Sequence, residues 1–100
     1  MNIVYFNELG ADIRADMQGA RWLLMTHADL NNAAAALMFS EMEDVLVAVD
    51  HRGAPVEDGL WMRAVHLLLV LDPSEAADVQ ARSGVTRVLA SQDKMEDHLW

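Results

Sequence analysis

The sequence predicts an α/β domain built on a doubly wound, five-stranded parallel sheet. Three observations carry this reading. Short apolar runs alternate with longer amphipathic stretches about five times along the chain. Residues 45–49 and 65–71 are apolar almost without a break, which suits strands buried on both faces. Clear helix signals sit between the runs, and right-handed crossovers leave few topologies for such a pattern.

Each element can be justified in order. Residues 2–6 (NIVYF) are β-branched and aromatic and predict the first strand. Residues 9–19 predict a weak helix with a glycine near each end. Residues 21–25 (RWLLM) are the second apolar run. Thr26 with Asp29 resembles an acidic capping box opening a helix over 27–43, with Leu30, Ala34, Leu37 and Met38 as its apolar stripe. Residues 45–49 are the third strand. Gly and Pro mark 51–59 as a loop, and 60–64 predict a short helix. Residues 65–71 are the fourth strand.

Asp72-Pro73-Ser74-Glu75 is a strong helix start: a capping acid, a proline at the first helical position and an acid in the first turn. Gly84 marks that helix's end. Residues 85–90 predict the fifth strand. Ser91 then caps a last amphipathic helix through Leu99, with Met95 and Leu99 on one face.

Composition bounds the function. The 100 residues, 53% of them hydrophobic and 23% charged, make one globular domain over residues 1–100. With no cysteine, the chain has no thiolate metal site, disulfide or thiol nucleophile. Sixteen acids against seven bases give a formal charge of −9, with arginines scattered and Lys94 the only lysine. That disfavours nucleic acid and an acidic membrane surface, and leaves a basic protein partner as a natural target. The N-terminus reads as no signal peptide and no run is long enough to span a bilayer, so a cytoplasmic protein is expected.

In open parallel sheets, sites lie beyond the carboxyl ends of the strands. Those ends carry Asn7 and Glu8, Thr26 and His27, Asp50 and His51, Asp72, and Ser91. Glu8, Asp50 and Asp72 can converge on one edge, where carboxylates with an open position suit Mg²⁺. Asp72 also reads simply as a helix cap. His27 and His51 can meet near the strand ends, although no histidine pair has the helical i, i+4 spacing of zinc ligands. No phosphate-binding glycine loop and no Gly-x-Ser-x-Gly elbow occurs. Met25, Met38, Met42 and Met62 read as core filling, and Glu41 to Asp44 as a solvated helix end.

The stretch DVLVAVDHRGAPVEDGLWMRAV (44–65) resembles the middle of a response-regulator receiver domain. Asp50, Pro55, Asp58 and Gly59 fall on that family's pattern, and residues 66–91 are similar to its fourth strand, helix and fifth strand. The resemblance implies a flavodoxin/CheY-like three-layer sandwich, with Asp50 as phospho-acceptor and Glu8 with Asp50 holding Mg²⁺. It departs in three places. The acidic pair after the first strand is Asn7-Glu8. Ser91 stands where the lysine belongs. Leu71 or Asp72 takes the switch hydroxyl's place. Losing the lysine removes a charge-assisted contact of about 1.5–3 kcal/mol.

The expected function is therefore a non-enzymatic, receiver-like regulatory domain with a degenerate acceptor site, acting through a protein partner or a second copy. Met95, Leu99 and Trp100 would form the partner-binding surface, or else pack back on the domain. The alternative is a small acidic inhibitor, antitoxin or immunity protein that binds a basic partner.

Overall fold

The computed structural model describes residues 2–31 and 44–100. The expected helical stripe at Ala34, Leu37 and Met38, the core role of Met42 and most of the 41–44 acidic run lie outside those residues. Five parallel strands form one sheet: β1 (Ile3–Tyr5), β2 (Trp22–Thr26), β3 (Leu46–Asp50), β4 (Leu67–Val70) and β5 (Arg87–Ala90). The α/β class and the parallel five-stranded sheet are as the sequence predicts.

The strands lie in sequential order, β1-β2-β3-β4-β5. A flavodoxin-like sheet runs 2-1-3-4-5, reversing direction once so that crossovers cover both faces. A sequential order has no reversal, and right-handed crossovers then favour one face for the described connections. The buried side chains obey this rule. Leu23, Met25, Val47, Val49, Leu68, Val70 and Val88 point to one face. There they meet Phe6, Met17, Val56, Met62, Ala76 and Val79 from the connecting segments. Trp22, Leu24, Ala48, Leu67 and Leu69 alternate to the other face, where Met95 and Leu99 cover them. Three layers result, but the third is supplied by the C-terminal segment.

Capping signals are met locally, although residues 27–31 form a 3₁₀ turn where the sequence predicts the start of a helix over 27–43. Helix α1 is short (Ile13–Met17), as its flanking glycines foretell, and Asp12 caps it by accepting from Ala15 N–H. Asp29 reaches back to accept from Thr26 N–H at 2.9 Å, the carboxylate half of a capping box. The bond closes over a 3₁₀ turn, His27–Asn31. Asp72 caps α2 (Pro73–Arg82), accepting from Ser74 N–H and Oγ–H at 2.8 Å each. These bonds hold its carboxyl below the ordinary range.

The last helix is where expectation and structure differ. Residues 91–99 form only one 3₁₀ turn, Met95–His98, flanked by Lys94 and Leu99 in extended conformation. The segment crosses a sheet face from β5 to the start of β2. Its conformation follows its docking, with Met95 and Leu99 on the sheet and Trp100 against Trp22.

Candidate functional site

Asp50 ends β3, opposite Thr26 of β2 and Leu69 of β4 in the ladder. It stands at the carboxyl edge, where the sequence placed it. His51 N–H still donates to Leu69 C=O at 2.8 Å, so the ladder runs one residue further. The chain then turns at Gly53, whose φ of +87° is a left-handed conformation that glycine adopts without strain.

Before that turn, Arg52 folds back on Asp50. Its Nε donates to Oδ1 and its Nη2 to Oδ2, each at 2.9 Å, and its backbone N–H adds a third bond to Oδ1 at 3.1 Å. This is the bidentate fork that guanidinium geometry favours. The remaining nitrogen, Nη1, donates to Asp93 C=O at 2.6 Å and more weakly to Ser91 C=O at 3.4 Å. Both side chains are partly buried. Burial alone would push the Asp50 carboxyl up, but the Arg52 hydrogen bonds and charge outweigh it and hold the group below its ordinary value. Arg52 is raised in turn, chiefly by its bonds to Asp50. Asp50 is thus a fixed carboxylate with both oxygens engaged.

Beside it lies a small cavity of about 130 Å³, lined by Tyr5, Asn7, Thr26, Asp29, Met95 and Glu96 among others. Asn7 reaches this cavity. Glu8 closes the 3₁₀ turn Phe6–Glu8 and is not among the residues that line the cavity. The expected Glu8–Asp50 pair is therefore not brought together around the cavity. Asp72 caps α2. Among the described residues, no three His, Asp or Glu side chains group as a metal site.

The C-terminal residues singled out in the sequence lie across the second sheet face. Met95 is buried and Leu99 packs beside it, while Trp100 stays 40% exposed. Trp100 stands edge-on to Trp22, ring centres 4.8 Å apart, and its carbonyl accepts from Trp22 Nε1–H at 3.1 Å and Arg21 Nε–H at 3.2 Å. Arg87 lies over its ring, 5.8 Å from the centroid. Ser91 does not cap a helix; its Oγ accepts from Asp93 N–H and pairs with His98 Nε2. The strap is thus pinned at one end by Arg52 and at the other by Trp22.

The loop motif has its own structural work. Asp58 pairs with Arg82, which also binds Asp78. Gly59 makes room for Trp61: a Cβ there would come within 2.7 Å of the indole. Trp61 in turn stacks on His51, whose ring lies 5.3 Å from that of His27. Sequence reasoning found Asp50 and the two histidines. It missed Arg52, although an acid and a base two apart on an extended chain share a face.

Among the described residues, no helix is long and apolar enough to cross a membrane. Comparison of the chain with protein-family models, curated proteins and solved structures finds no match.

Proposed function

We propose that this is a non-catalytic regulatory domain that works by protein contact, with a receiver-like acceptor aspartate retained as an internal ion pair. One observation carries the reading: both oxygens of Asp50 are held by Arg52, which also grips the backbone at Ser91 and Asp93. A phospho-acceptor needs a free carboxylate oxygen as nucleophile and a cation beside it to offset phosphoryl charge. Here the cation is a guanidinium already committed to the carboxylate. The likeness to receiver domains rests on residues 44–91, from β3 to β5; at β1 and β2 the strand order departs from theirs.

The test is an amide NMR titration with Mg²⁺ and then beryllofluoride, which mimics an aspartyl phosphate. Wild type, Asp50→Asn and Arg52→Ala are compared. The expected result is no saturable shift at residues 50–53 or 91–93 in wild type at millimolar ligand. Saturable shifts there that vanish in Asp50→Asn would establish a working acceptor and overturn the reading.

The net charge of −9 favours a second reading, an acidic inhibitor of a basic protein. Its binding would weaken steeply with salt and be indifferent to Asp50→Asn.

A further inference from the structure

The geometry points to a divalent transition-metal site at His27 and His51, in the cleft beyond the carboxyl ends of β2 and β3. The ladder pairs Thr26 with Asp50, so the next residue of each strand is a histidine and the two become neighbours. They line a cleft of about 250 Å³ together with Leu30, Asn31, Glu57 and Trp61.

The first argument is orientation. His51 is only 6% exposed, and its Nδ1 lies 3.2 Å from Ala54 C=O. A carbonyl can only accept, so Nδ1 is the donor and, in the neutral ring, Nε2 holds the lone pair. A backbone carbonyl fixing the far nitrogen is the usual support of a metal-bound histidine. Trp61, stacked on His51 at 5.9 Å and 21°, fixes the ring plane as well. The second argument is availability. Among the described residues, none bonds His51 Nε2, and no buried polar side-chain atom lacks a partner, so this nitrogen is not sealed in the core.

The third argument is spacing. Metal–nitrogen bonds are about 2.1 Å, and a ring centre lies roughly an ångström behind its nitrogen. Two imidazoles on one tetrahedral ion then have centres roughly 5 Å apart. The observed separation is 5.3 Å.

Other guests fit less well. A planar molecule would need the His51 ring face that Trp61 already covers. An anion would meet Glu57 and a chain of charge −9. Imidazole donors without thiolate suit Zn²⁺, Ni²⁺ or Cu²⁺ and not Mg²⁺. Because no third His, Asp or Glu joins them among the described residues, the ion keeps positions open for water or an outside donor. The site lies one residue beyond Asp50 and uses none of the groups that hold it, so it does not depend on how Asp50 is read.

The test is a zinc chloride titration with ¹H–¹⁵N correlation of the imidazole nitrogens at each step. The expected result is saturable movement of His51 Nε2 and a His27 nitrogen, with His66 and His98 unmoved and Mg²⁺ without effect. His51 is buried and its replacement risks the fold, so the half-exposed His27 carries the decision. His27→Gln should weaken zinc binding at least about tenfold, and His98→Gln should leave it unchanged. No saturation at millimolar zinc, or zinc shifts that survive His27→Gln, would overturn the assignment.

Discussion

The two faces of the sheet are held in opposite ways. One is covered by every described connecting segment: the turn after β1, α1, the 51–64 loop and α2. Among the described residues, the other is covered by residues 95–100, a strap pinned at its two ends. A face held by several independent segments loses little when one loosens. A face held by one strap opens as a unit when either pin fails. The difference follows from strand order, since a sheet without a reversal puts its described crossovers on one face.

Adjacent residues of β4 offer the most direct way to break this contrast. Leu68 and Leu69 are both fully buried, on opposite faces. Truncating a buried leucine costs about 2–5 kcal/mol, and less where the surroundings can collapse into the cavity. The crossover face is tied down at many points, while the strap can settle inward. Leu68→Ala should therefore cost more than Leu69→Ala, the first near the top of that range and the second near the bottom. Urea denaturation measures both; equal losses would show that the strap is packed as rigidly as the crossovers.

Arg52→Ala is a smaller change, aimed at one pin. It removes the fork on Asp50 and the bonds to Asp93 and Ser91. Partly buried charge-assisted bonds of this kind contribute about 1–3 kcal/mol. The loss should be local: amide exchange should speed up across residues 91–100 and stay unchanged in Leu68 and Val70. Uniform acceleration throughout the sheet would mean the two faces do not open separately.

How much of the molecule was legible in the sequence depends on the content of each signal. β3 and β4 were visible because burial on both faces removes the need for polar alternation. Asp72-Pro73-Ser74 announced α2 because capping chemistry is local. Asp50 and the histidines were visible as polar residues at strand ends. Strand order was not, since a crossover's length does not say which side of its partner a strand joins. The strap was misread as a helix for a related reason. The spacing of Met95 and Leu99 marks a shared face, and it does not say that Trp100 docks against Trp22. The Arg52 fork needed the Gly53 turn to be seen, although Asp-x-Arg at a strand end was a usable hint.

The smallest effect tests the sheet that both faces share. At its amino edge, His66 N–H donates to Val47 C=O, and Val47 N–H donates to His66 Nδ1 at 3.0 Å. His66 C=O accepts from Arg87 N–H, so this residue links β3 to β5. Nδ1 can accept only while unprotonated, and burial lowers the His66 pKa. The folded state thus resists a proton that the unfolded chain takes up near pH 6.5. The stability is complete above that pH and declines as pH falls below it, because the unfolded state then binds more protons. The bond at stake contributes about 1 kcal/mol. Asp50 also has a lowered pKa, but as a carboxylate its contribution persists until pH falls below about 4. Acid should therefore act in two stages. As pH falls below about 6.5 the whole sheet weakens slightly, and His66→Gln, which keeps a hydrogen-bond acceptor without the titration, should flatten that limb in a thermal melt. Below about pH 4 the strap should open, which fluorescence of the Trp22–Trp100 pair would report. A single acid transition, unchanged in His66→Gln, would show that strap and sheet titrate as one body.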